Sequence, residues 1–99
     1  MTENLNFRKK AEAMYEKGRR LALSGEYAEA LQAFDRAIEL RNGYAEAYFD
    51  RGACYYKLGQ YLRATDDINA ASVLGCETAQ IWSRYERATV KESDDDEFP

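Results

Sequence analysis

The side chains that most often carry chemistry are scarce in this sequence and poorly spaced for it. Its 99 residues contain no histidine. That removes the commonest general base, the usual nitrogen ligand for metals, and the side chain that changes charge near neutral pH. Cys54 and Cys76 stand 22 residues apart with no CxxC motif, and two thiols without histidine fall short of the four ligands zinc requires. No glycine-rich phosphate loop is present, and spacing alone singles out no pair of carboxylates. The sequence therefore predicts no catalytic residues, no metal and no cofactor: it is not the sequence of an enzyme.

The elements that would position any remaining chemistry are helices. The chain is 45% hydrophobic and 32% charged, enough to fold as one small domain. Its one proline is the last residue, Pro99, so no helix is interrupted. The formal charge is −4, yet residues 92–97 hold five acids and no base. With those set aside the rest carries 14 basic and 13 acidic side chains. A nearly neutral body is a poor electrostatic match to nucleic acid. Arg8, Lys9 and Lys10, then Lys17, Arg19 and Arg20, alternate with Glu12 and Glu16. They read as a solvated helix face with Lys9–Glu12 and Glu16–Arg20 pairs. The start of the chain has no apolar signal core, and no apolar run approaches ~18 residues. The expectation is a soluble, cytoplasmic protein with reduced thiols and no membrane contact.

A search for internal repeats organises the chain. Residues 11–44 and 45–78 align without gaps, and nine of 34 positions are identical: Ala11/Ala45, Glu12/Glu46, Ala13/Ala47, Gly18/Gly52, Gly25/Gly59, Tyr27/Tyr61, Ala30/Ala64, Ala37/Ala71 and Leu40/Leu74. Each repeat parses as helix, tight turn, helix. Met14, Gly18 and Leu21 share one helix face, as do Tyr48, Gly52 and Tyr55. Glycine inside a helix costs about 1 kcal/mol relative to alanine, so a glycine at the same place twice predicts a close helix crossing. Gly25 and Gly59 fall where the first helix of each pair ends, suiting the left-handed terminal conformation. The second helices present Tyr27, Ala30, Phe34 and Ala37, or Tyr61, Ala64, Ile68 and Ala71, as one apolar stripe. Cys54 reads as a small core residue.

This pattern of glycine at repeat position 8, alanine at 20 and 27 and a large apolar residue at 24 resembles the tetratricopeptide repeat, a 34-residue helical hairpin. The resemblance implies an all-α, right-handed α-solenoid of two hairpins plus a C-terminal capping helix. Residues 1–10 extend the first helix, with Leu5 and Phe7 shielding its end, and 11–44 and 45–78 are the two repeats. Residues 79–92 restart the motif with Trp82 as a capping partial third repeat, and 93–99 form an acidic, unstructured tail. Helices are expected over about 5–23, 27–41, 45–58, 61–74 and 77–92, with Ile81, Trp82 and Tyr85 packed inward.

The resemblance also implies a concave groove lined by the first helix of each repeat. Its candidate partner-binding residues are Glu12, Tyr15, Arg19, Glu46, Phe49, Asp50, Tyr56, Arg84 and Arg87. Tyrosine and arginine are enriched at binding hot spots. The expected function is non-catalytic: a scaffold or adaptor module that holds a partner's peptide or helix. The competing expectation is a structural subunit that stacks through its solenoid ends; the oligomeric expectation is a monomer or weak self-association. One branch of the family clamps chaperone C-terminal carboxylates with five residues, which correspond here to Tyr15, Arg19, Asp50, Gln80 and Arg84. Arg84 alone matches, and Asp50 stands where that branch offers a neutral amide, so chaperone tails are not expected as ligands.

Overall fold

The computed structural model describes residues 2–82 and 84, and every described regular element is helical. Helix α1 spans Thr2–Leu23, α2 Tyr27–Leu40, α3 Ala45–Lys57 and α4 Tyr61–Val73. A fifth helical segment runs over 77–82. The four complete helices end within a residue of the expected positions, and α1 begins three residues earlier. The expected cap beyond Trp82, apart from Arg84, and the acidic tail lie outside the described residues.

The turns follow from glycine. Gly25, Gly59 and Gly75 have φ of +83°, +80° and +99°, a conformation that side chains with a Cβ resist. At each, two backbone bonds close the preceding helix. Gly25 N–H donates to the Ala22 carbonyl at 3.0 Å, and Glu26 N–H to that of Leu21 at 2.9 Å. Gly59 and Gln60 repeat this pairing on Tyr56 and Tyr55, and Gly75 and Cys76 on Ser72 and Ala71. This double closure satisfies carbonyls that a helix end otherwise leaves bare and reverses the chain within three residues.

Helix α1 packs on α2, α3 on α4, and α2 on α3, so two hairpins stack in sequence order. Small residues permit the contact. A Cβ on Gly18 would stand 2.6 Å from Cε1 of Phe34, which is fully buried. On Gly52 it would stand 3.1 Å from the Ala64 carbonyl oxygen, Asp67 Cβ and Ile68 Cγ1. Ala11, Ala30, Ala37, Ala47, Ala64, Ala71 and Ala79 are buried around the larger Phe34, Cys54 and Ile68.

The stack is also tied by charge. Arg51 on α3 donates through Nε and Nη2 to both oxygens of Asp67 on α4, at 2.7 and 2.8 Å, and through Nη1 to Asp35 on α2 at 2.9 Å. Its guanidinium lies 5.3 Å from the Tyr48 ring centroid. Two-pronged pairing of this kind fixes geometry as well as adding energy.

Several expectations are corrected. Glu16 pairs with Arg19 at 3.7 Å rather than with Arg20, an exposed contact one residue closer along the helix. Phe7 is 47% exposed and shields little, while the Leu5 side chain lies outside the described residues. Tyr61 leaves the apolar stripe: Tyr27 packs beside Phe34, but Tyr61 is exposed and meets Tyr56 edge-on at 5.1 Å. Ile81 and Trp82 are 65% and 36% exposed rather than packed inward. Ala79 is the residue of that segment seated in the core, where it meets Ile68 and Ala71.

Candidate functional site

Two hollows open along α3. The larger, about 400 Å³, lies between the C-terminal half of α1 and α3, with Arg19 and Ala22 on one side, Asp50, Ala53 and Lys57 on the other, and Phe34 and Cys54 at its base. The smaller, about 190 Å³, is almost wholly apolar and is bounded by Phe49, Ala53, Tyr56, Lys57, Ile68 and Trp82. Ala53 and Lys57 belong to both. They are one helical turn apart on α3, so the exposed methyl of Ala53 forms the low divide between the hollows.

Eight of the nine expected groove residues fall into three groups. Tyr15, Arg19 and Asp50 come together across α1 and α3. Tyr15 is half-buried rather than open. Its ring packs between Phe34 at 5.8 Å and Tyr44 at 5.2 Å, and Arg19 lies 5.9 Å above its centroid. Burial raises its pKa well above the ordinary phenol value, and the Asp50 carboxylate adds to this. Asp50 is raised too, chiefly by burial; the Tyr15 hydroxyl and Arg19 lower it, while Glu46 and Glu16 raise it further. Its Oδ2 is buried without a hydrogen-bond partner.

Phe49 and Tyr56 form the second group. Phe49 is half-buried against Ile68, Ala71 and Ala79 while still bounding the apolar hollow. Tyr56 is 45% exposed and stands edge-on to Trp82 at 6.2 Å. Glu12, Glu46 and Arg84 form the third group and are exposed. The two glutamates act on Tyr44, whose pKa is raised mainly by burial and further by their charge, with Arg41 opposing. Arg87 lies outside the described residues.

Lys57 was not among the expected groove residues, although it follows Ala53 by four positions and so lies on the same face. Trp82 was assigned to the core and instead forms part of a hollow's wall. Cys54 is buried, and burial foremost, with Asp50 adding, pushes its thiol up to about 11. That environment is the reverse of one that activates a thiol. Among the described residues no three His, Cys, Asp or Glu side chains are grouped to hold a metal, and no helix is long and apolar enough to cross a membrane.

Known proteins share this arrangement in sequence. The family described as TPR repeat matches residues 18–59. An uncharacterized protein of Methanocaldococcus jannaschii is 38% identical over 66 residues, covering 67% of this chain and 73% of that protein. The small glutamine-rich tetratricopeptide repeat-containing protein 2 of Mycosarcoma maydis is 29% identical over 79 residues, or 80% of this chain. A TPR repeat-containing thioredoxin of Arabidopsis thaliana is 36% identical over 55 residues, or 56% of this chain. The matched stretches make up 22% and 8% of those last two proteins, so the likeness lies in the repeat and not in what either protein does as a whole. The match at 18–59 runs from the glycine beneath Phe34 to the glycine closing α3, and with the stacked hairpins around it places this chain in the tetratricopeptide repeat family.

Proposed function

We propose that this chain is a non-catalytic adaptor that holds a peptide or helix of a partner protein across α3, over the two adjoining hollows. Tetratricopeptide repeats generally mediate protein–protein interactions. The observation that carries the finer reading is the small hollow, where Phe49, Tyr56 and Trp82 surround an apolar space beside exposed Ala53. An apolar recess with aromatic walls and a charged rim is the form taken by protein-binding hot spots. In this reading residues 11–44 and 45–78 act as two repeats and 79–92 closes the stack.

The test is affinity capture from native lysate by the parent and by Ala53→Gln, which fills the divide from an exposed helical position without touching the core. Phe49→Ala serves as a second variant once its fold has been checked, because Phe49 also packs inward. A partner held by the parent and lost by both variants supports the reading. Equal retention moves the binding surface away from α3. The exposed Ile81 and Trp82 favour a second reading, stacking through the solenoid end. It requires a molar mass in light scattering that rises with concentration and falls back on Trp82→Ala.

A further inference from the structure

The face along α1 and α3 is electrically lopsided. Glu12 and Glu16 on α1 and Glu46 and Asp50 on α3 lie toward the N-terminal side, and Arg19 and Lys57 toward the C-terminal side. Glu46 and Glu16 act on Asp50, where the Tyr15 hydroxyl and Arg19 oppose them, and all three glutamates act on Tyr44, where Arg41 opposes them. Arg19 is already held, 3.7 Å from Glu16 and stacked over Tyr15. Asp50 forms no ion pair among the described residues: Oδ2 is buried without a partner, while the residue still borders the larger hollow.

An occupant of that hollow would strip further water from a carboxylate already short of partners. An apolar group there would leave Oδ2 of Asp50 uncompensated, and a carboxylate would add repulsion. A cation would repay the desolvation by pairing with the free Oδ2, and Glu46 on the same helix would add a longer-range attraction. Across the Ala53 divide lies the apolar hollow, so a chain laid over Ala53 can place one side chain in each. We infer that the groove selects peptides pairing a large apolar side chain, seated among Phe49, Tyr56 and Trp82, with a lysine or arginine set against Asp50. This rests on the groove reading above and names the ligand chemistry it would take.

Trp82 is the sole tryptophan, so its emission reports on the apolar hollow directly. The experiment titrates the full chain with blocked heptapeptides that share one central leucine and carry lysines, glutamines or glutamates around it. The lysine peptide is expected to bind at least about tenfold more tightly than the glutamate peptide at low salt, with the gap narrowing as salt is raised. Asp50→Asn should shrink that gap to about threefold or less, weakening the lysine peptide and relieving the penalty on the glutamate peptide. Glutamate binding as tight as lysine binding overturns the inference, as does a lysine preference that survives Asp50→Asn combined with Glu46→Gln. Binding that is lost on Ala53→Gln yet indifferent to charge overturns the charge rule and leaves the groove reading standing. Binding untouched by Ala53→Gln, or no response to any peptide, overturns both.

Discussion

Gly18→Ala places the new methyl in the most crowded part of the stack. Its Cβ would lie 2.6, 2.7 and 2.9 Å from Cε1, Cδ1 and Cζ of Phe34. Carbon atoms attract best at about 3.5–4.0 Å, so the overlap is close to 1 Å along one edge of the ring. Phe34 is fully buried and held by Tyr15, Ala30 and Cys54, so it cannot swing into solvent to make room. Overpacking costs about 1–3 kcal/mol, and an overlap this large against a ring that cannot move belongs to the upper part of that range, about 2–3 kcal/mol. Against it stands the gain of alanine over glycine inside a helix, about 1 kcal/mol. The net expectation is destabilisation by about 1–2 kcal/mol, and at about 4–8 °C per kcal/mol for a domain of this size that lowers Tm by roughly 4–16 °C. The equivalent Gly52→Ala makes nearest contacts of 3.1 Å, a strain of a few tenths of an ångström that the same helix gain of about 1 kcal/mol nearly offsets. It should fall within about 0.5 kcal/mol of the parent. Urea unfolding followed by far-UV circular dichroism measures both. A double-mutant cycle with Phe34→Leu should return part of the Gly18→Ala loss, because the shorter side chain vacates the clash. A Gly18→Ala protein as stable as the parent, or more stable, would refute the reasoning, since the ring could not then lie where the close crossing requires it.

Three further outcomes follow from the same geometry. Removing the guanidinium with Arg51→Ala leaves Asp67 buried and unpaired and should cost about 2–4 kcal/mol in urea unfolding, whereas Asp35→Asn at the exposed end of the network should cost under about 1 kcal/mol; equal losses would show that the Asp67 pairing is not the buried one. Cys54, its thiol pushed up to about 11 and sealed at the base of the larger hollow, should react with a disulfide reagent at pH 7.5 at least about tenfold more slowly than half-buried Cys76, and a single fast phase counting both thiols in the folded protein would contradict it. Asp50 has a folded pKa above its ordinary value, so folding disfavours its charged form, and acidification through the folded pKa relieves that penalty until the unfolded carboxylate also protonates near pH 4. Asp50→Asn should therefore be more stable than the parent at pH 7, with an advantage that shrinks toward pH 4; urea midpoints at the two pH values test this, and an advantage that grows on acidification would reverse the assignment.

How much of this could be read without coordinates depends on whether a residue's role is set by its own helix or by a neighbour. The hairpin repeat was legible because glycine and alanine mark it locally. Gly25 and Gly59 end helices through a φ that other residues resist, and Gly18 and Gly52 recur at the close helix crossings, beneath Phe34 and beside the α4 backbone. Position 7 of the repeat shows where local reading stops. Lys17 and Arg51 stand at the same repeat position and look alike in sequence, as basic side chains on the first helix of each hairpin. In the structure Lys17 is exposed, whereas Arg51 joins α2, α3 and α4 through Asp35 and Asp67. The residue matching Asp67 in the first repeat is Ala33, which offers nothing to accept a charge.

The candidate site divides the same way. The candidate groove residues, and their place on the first helix of each repeat, followed from the resemblance to the tetratricopeptide repeat, carried through the 34-residue register. Tyr15 and Phe49 share that register, but tertiary structure gave them different surroundings. Tyr44, in the link between hairpins, packs on Tyr15 and leaves its ring half-buried against the core, while Phe49 keeps one side on Ile68 and the other on an open hollow. The raised pKa of Asp50, the shared wall at Ala53 and Lys57, and the outward place of Trp82 depend on contacts between helices far apart in sequence. Periodicity reports which face of a helix a residue occupies. Burial and electrostatics depend on what the next helix brings to that face, and only the stacked hairpins decide that.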